Sequence, residues 1–217
     1  MKKEKFGKNE EKTNTSSTAF RCSESKANIF LIGDSIRLGY CETVKKELAD
    51  KAEIFYVSEN CRSTQYVIFH LQKWVDMFDD PARVDLVHFN CGHWDVAHWN
   101  RHPLSLTSEA EYARNIGMIV DLLRDAFPNA RLMFATTTPM NPNGGSMGCN
   151  EPRTSEEIAK YNQIAVNIVA ENNIPVNDLN DYVKDWGSDT YKDVCHFTDA
   201  AYTVIGKEVA RRLNTMI

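Results

Sequence analysis

Two short stretches, far apart in the chain, carry residues that together could perform nucleophilic chemistry. One is "NIFLIGDSIRLGY", residues 28–40, in which an apolar run ends abruptly at Gly33, Asp34 and Ser35. The other is "DVCHFTDAAY", residues 193–202, in which Asp193 stands three residues before His196. A serine hydroxyl is a weak nucleophile until a neighbouring base takes its proton, and His196 is the candidate base. A histidine in that role needs a partner on its other ring nitrogen, to hold its tautomer and stabilise the imidazolium. Asp193 is near enough in sequence to fold back and serve. Ser35 has a plainer alternative as the N-cap of a following helix, a position that serine favours. Asp34 has one too, as a hydrogen-bond acceptor within the turn.

Both stretches need elements that bring them together. From residue 27 onward, apolar runs of strand length alternate with longer helical patterns. Strands are expected at residues 28–33, 53–58, 84–90, 131–138 and 174–179, and their near-continuous hydrophobicity suits parallel strands covered on both faces. Helical patterns follow in "SIRLGYCETVKKELAD", "STQYVIFHLQKWVDMF" and "AAYTVIGKEVARRLN". Ser108 with Glu111, and Thr154 with Glu157, have the spacing of capping boxes that open two more helices. The alternation predicts a three-layer α/β/α sandwich around a five-stranded parallel sheet, of flavodoxin-like type. Its functional crevice would lie beyond the carboxyl ends of the strands. The unusual residues fall there: 33–35 after the first strand, 59–63 after the second, 90–95 after the third. Residues 1–26 are polar and without periodicity, and read as a disordered tail. Residues 27–217 read as one domain.

Composition limits the partners. With 217 residues, 42% of them hydrophobic, the chain can build one substantial core. A formal charge of −5, and no basic stripe with interleaved aromatics, argue against nucleic acid and anionic membranes. No stretch approaches the roughly 18 apolar residues of a membrane helix. The first twenty residues lack the apolar core of a secretory signal, so a soluble, cytoplasmic protein is expected. Six scattered cysteines without a CxxC pair are expected to be reduced thiols.

Over essentially the whole predicted domain, the sequence resembles the SGNH (GDSL-type) serine hydrolases. Gly33-Asp34-Ser35 matches the family's first block, "VDLVHFNCGHWD" falls where it has its third, and Asp193 to His196 matches its DxxH. The pattern "GDSIRLGY…ENCR…NxGxWD…NDL" looks more closely like a bacterial, esterase-like subgroup. The resemblance implies that Ser35 is the nucleophile, His196 the base and Asp193 its partner. It also implies an oxyanion hole made of the Ser35 N–H, a second-block glycine N–H and a third-block asparagine side chain. Cys61 stands where that glycine is expected, and its N–H could still donate. Trp94 stands where the asparagine is expected, so either its indole N–H substitutes or Asn90 supplies the amide; Asn90 is preferred. Asn60, Arg62, Gly92 and Asp95 are expected to contact substrate. The implied activity is hydrolysis of an ester through an acyl-enzyme, with short acyl groups such as acetyl, on a small molecule or an oligosaccharide. A thioesterase or lysophospholipase on the same triad is the enzymatic alternative. The changes at Cys61 and Trp94 motivate a non-catalytic binding module of the same fold, and a flavodoxin-like flavin protein is a third reading.

The remaining conspicuous residues have bland readings. His98 and His102 have i,i+4 spacing, but Pro103 follows and no third ligand is obvious, so no metal site and no cofactor are expected. His93 and Trp94 are read as pocket walls. Cys195 beside His196 is read as packing, because neighbouring side chains in an extended loop point apart. Arg62 could bind an anionic substrate group or pair with Glu59. Trp74 and Phe78 are read as core, and Trp99 and Trp186 as loop aromatics that could stack on a sugar. The polar segment 140–154 could form a wall or lid of the site.

Overall fold

In β1 (Ala27–Ile32) every residue after Ala27 is buried, as an uninterrupted apolar run requires of a strand covered on both sides. The computed structural model, which describes residues 19–144 and 150–217, sets β1 second in a five-stranded parallel sheet. With β2 (Ala52–Tyr56), β3 (Leu86–Phe89), β4 (Arg131–Ala135) and β5 (Val176–Asn177), the order is β2-β1-β3-β4-β5. All four pairings are parallel. The predicted five-stranded α/β/α sandwich is therefore correct. Strand order reverses between β1 and β3, which places a crevice at their carboxyl ends.

Seven helices lie among the described residues: α1 (Ser35–Glu47), α2 (Thr64–Val75), α3 (His93–Val96), α4 (Glu109–Ala126), α5 (Ser155–Glu171), α6 (Leu179–Val183) and α7 (Asp199–Asn214). Both capping boxes form, Ser108 with Glu111 on α4 and Thr154 with Glu157 on α5. Alternate residues of β1 feed two separate cores. Phe30 and Ile32 pack with α2, α4 and α5, whereas Ile29 and Leu31 pack with α1 and α7. On the second face α1 and α7 approach closely. A Cβ on Gly206 of α7 would stand 2.6 Å from the Thr43 Cβ and 3.1 Å from the Tyr40 carbonyl oxygen of α1.

The ordered chain starts before residue 27. Phe20 pairs as a bridge with Phe78, and its ring lies 5.0 Å from that of Phe78 and 5.3 Å from that of Phe55. Cys22 is buried. Within the segment read as a tail, Phe20 and Cys22 thus pack against the body, because two apolar side chains find a hydrophobic edge. Residues 1–18, the rest of that tail, lie outside the described residues, as do 145–149 of the predicted wall or lid. Among the described residues no helix is long and apolar enough to cross a membrane. The five described cysteines are free in the structure.

Candidate active site

Asp34, not Ser35, caps α1. Its side chain accepts from the Ile36 N–H at 2.9 Å, and Ser35 becomes the first helical residue. The Ser35 hydroxyl is thereby left unused by the cap, and its N–H has no acceptor within the helix. Burial raises the Asp34 pKa above the ordinary carboxylate range. Arg37, fully buried three residues after Asp34, holds the loop after β2 against this turn. Its guanidinium donates to the carbonyls of Val57 and Glu59 at 2.7 Å, to that of Gly33 at 3.2 Å, and to the Cys61 Sγ at 3.4 Å.

The Ser35 Oγ lies 2.8 Å from the His196 Nε2, and the His196 Nδ1 lies 2.8 Å from the Asp193 Oδ2. A carboxylate acceptor at Nδ1 fixes the tautomer, leaving Nε2 to receive the serine proton. Asp193 also accepts from the Cys195 and His196 N–H groups, at 3.0 and 2.8 Å. Partial burial works against its charge, but these donors prevail and hold its pKa below the usual range. They also curl the loop, so the Cys195 Sγ comes to 3.7 Å from the His196 Nδ1. The two neighbours do not point apart as the extended-loop reading expected. Cys195 is nonetheless buried, on the side of the ring away from Ser35. The Cys195 sulfur, and with it the Asp193 carboxylate, push His196 up to about 9 against the opposing effect of burial. Asp193, Cys195 and His196 also bring three potential ligand atoms within 4.8 Å of one another. The Nδ1–H to Asp193 bond occupies the lone pair that a metal would need there.

Both described flanks of the 140–154 segment brace this loop. Asn141 donates from its N–H to the Val194 carbonyl at 2.9 Å and from Nδ2 to the Asp193 carbonyl at 3.0 Å. Arg153 reaches the Cys195 Sγ at 3.4 Å. Neither Asn141, Arg153 nor Arg37 was identified from the sequence. Arg37 had a visible signal: an arginine on the apolar face of an amphipathic helix.

Several expected site residues have other employment. The Cys61 N–H donates to the Gly33 carbonyl at 3.1 Å, so it is not free for an oxyanion. The Asn90 amide donates to the Ala135 carbonyl at 3.0 Å and reaches the Thr137 Oγ1 at 3.5 Å, tying β3 to the end of β4. Asp95, expected at the substrate, is fully buried and accepts from Thr64 N–H and Oγ1 and from Thr107 Oγ1. Burial pushes its pKa up to about 6. Gly92 is there for space, since a Cβ would lie 2.1 Å from the Thr137 Oγ1. His93 is buried against Thr138, and burial drives its pKa well down. Trp94 is half-buried, its ring 4.8 Å from Trp99. His98 is used structurally, bonded to the His102 carbonyl and to Glu157. Trp74 and Phe78 are core, and the Trp186 ring meets Phe197 edge-on. Asn60 stands at the mouth of the β2 loop, its Oδ1 accepting the Arg62 N–H at 2.8 Å.

Comparison with known proteins agrees with this architecture. A model of the GDSL-like lipase/acylhydrolase family matches residues 31–204. Among solved structures, a lipase/acylhydrolase from Enterococcus faecalis superposes with a TM-score of 0.69 at 20% identity, over 87% of this chain and 96% of that one. An acetyl xylan esterase superposes at 0.67 with 17% identity, over 86% and 99%. A carbohydrate acetylesterase from Sinorhizobium meliloti does so at 0.68 with 13% identity, over 88% and 100%. No curated protein matches the sequence.

Proposed function

Because the chain belongs to the GDSL-like lipase/acylhydrolase family, we propose that it is a serine ester hydrolase working through Ser35, His196 and Asp193. One observation carries this reading: the unbroken hydrogen-bond chain from Asp193 through His196 to Ser35. The Ser35 Oγ attacks the ester carbonyl carbon while the His196 Nε2 takes its proton. Asp193 stabilises the imidazolium that forms. The negative charge gathering on the carbonyl oxygen is met by the Ser35 N–H at the positive end of α1. The Trp94 indole N–H is the side-chain donor, since Asn90 and Cys61 are committed elsewhere. His196 then returns the proton to the departing alcohol, and a water activated at the same nitrogen releases the acid from Ser35.

A short acyl group suits this reading. Behind Ile36, the interior bounded by Tyr40, Asn90, His93, Thr138 and Leu179 leaves no space that a water molecule could enter, so no acyl tunnel runs inward there. The likeness in fold to an acetyl xylan esterase and a carbohydrate acetylesterase supports acetyl esters of carbohydrates as substrates. The test is hydrolysis of 4-nitrophenyl acetate by the wild type beside Ser35→Ala. Loss of the serine is expected to cost at least ~10³-fold in kcat, with the fold unchanged by circular dichroism. Equal rates in the two proteins would leave only a binding module.

A further inference from the structure

Arg62 poses a question that catalysis by Ser35 does not answer. It is exposed, and its φ of 51° lies in the left-handed region, where an arginine is disfavoured and a glycine is not. The Asn60 side chain and the Cys61–Gly33 hydrogen bond hold it there. Strain of this kind persists where the surroundings impose it, and it collects at functional sites.

The sequence left two roles open for this guanidinium, and pairing with Glu59 is not the one it takes. The Glu59 carboxylate is held by the Tyr66 Oη at 2.7 Å, the Trp74 Nε1 at 2.9 Å and the Lys73 Nζ at 3.4 Å. The Tyr66 hydrogen bond foremost, then those of Trp74 and Lys73, pull its pKa down to about 2 against burial. Arg62 instead lies 4.8 Å over the Tyr66 ring and 5.4 Å over the Trp94 ring. No ion pair to Arg62 exists among the described residues.

The stack has a direction. His70 covers Tyr66 at 3.8 Å and Trp99 covers Trp94 at 4.8 Å, so His70, Tyr66, Arg62, Trp94 and Trp99 form one column. The Tyr66 ring is engaged within it by both His70 and Arg62. What the column offers outward is the edge of a guanidinium, a planar fork of N–H donors whose match is a carboxylate. Its position is also set. Arg62 follows β2 and Trp94 follows β3, the two strands that flank β1, so their contact lies at the carboxyl end of the sheet, the end at which Ser35 follows β1.

We propose that Arg62 recognises a carboxylate on the substrate, so that the preferred ester belongs to an acidic molecule. This rests on the esterase reading of Ser35. The test uses two matched pairs of probes. Mono-4-nitrophenyl succinate against 4-nitrophenyl butyrate puts the carboxylate on the acyl side. 4-Acetoxybenzoate against its methyl ester puts it on the alcohol side. The readout is the anionic-to-neutral ratio of kcat/KM within each pair.

In one pair the wild type should favour the acid by about tenfold, the scale of a charge-assisted hydrogen-bond pair. Arg62→Gln should abolish that preference and Arg62→Lys should keep only part of it, because an ammonium neither stacks nor forks. Turnover of the neutral probes with no preference in either pair overturns the proposal and leaves the esterase reading standing. So does a preference that survives Arg62→Gln. If the wild type exceeds Ser35→Ala on none of the four probes, the esterase reading falls and takes this proposal with it.

Discussion

Ser35 owes its free hydroxyl to its neighbour. With Asp34 as the cap, the first turn of α1 is satisfied by a carboxylate, and the serine side chain is left to His196. The same economy makes Trp94 important, since the Cys61 N–H and the Asn90 amide are spent on the fold. Trp94→Phe removes the indole N–H and keeps an aromatic ring. It should lower kcat about 10²-fold with a smaller change in KM, as loss of one oxyanion donor does. An unchanged kcat would take Trp94 out of the hole. The pH profile should carry the mark of the groups beside His196. A base must be neutral to act, and a pKa raised to about 9 means the ring stays protonated until high pH. The rate should therefore climb with pH through a limb above the usual histidine value of roughly 6.5. Since the Cys195 sulfur is the larger influence, Cys195→Ala should move that limb to lower pH. A limb that stays put would assign the shift to Asp193 alone.

At the scale of elements, two helices set the distance between groups that are far apart in sequence. Ser35 opens α1, and His196 stands three residues before α7, so the contact of these helices helps to fix how near the nucleophile lies to its base. Gly206 permits that contact. Alanine would be favoured over glycine by about 1 kcal/mol from helix propensity alone. Here it meets a Cβ and a backbone oxygen, so Gly206→Ala should instead destabilise by about 1–3 kcal/mol. It should also depress kcat, by displacing α7 and the loop before it. Denaturant titration and kinetics on the one variant decide the matter: a more stable protein of full activity would show that the helix spacing has slack. Arg37 works alongside this contact, fastening the β2 loop to the turn that carries Ser35 by donating only to carbonyls and a sulfur.

For the molecule as a whole, the sheet order puts the chemistry at one edge, where the connections from β1 and β3 part to opposite faces. The N-terminal segment belongs to this body. Phe20 closes an aromatic cluster with Phe30, Phe55 and Phe78 at ring separations of 5.0 to 6.2 Å. Phe20→Ala should cost about 2 kcal/mol or more of stability, measured by urea unfolding, without moving kcat. A loss below ~0.5 kcal/mol, the scatter of ordinary surface changes, would mean that the segment merely rests on the cluster.

The sequence by itself determined the fold class, since buried strands need continuous apolar runs and helices need their period and caps, all of which are local patterns. It also pointed to the three residues of the hydrogen-bond chain, through the resemblance of Gly33-Asp34-Ser35 and of Asp193 to His196 to the GDS and DxxH blocks of a known family. Which backbone and side-chain donors remain free was decided only by tertiary structure. Cys61, Asn90 and Asp95 each have suitable chemistry, yet all three are consumed by partners 12 to 47 positions away in the chain. A hydrogen bond has one geometry and a donor few protons, so a residue's availability depends on who stands beside it once the chain has folded. Arg62 shows the converse: Glu59 is close to it in sequence, but the folded chain turns that carboxylate to Tyr66 and Trp74 and leaves the guanidinium over the Tyr66 and Trp94 rings.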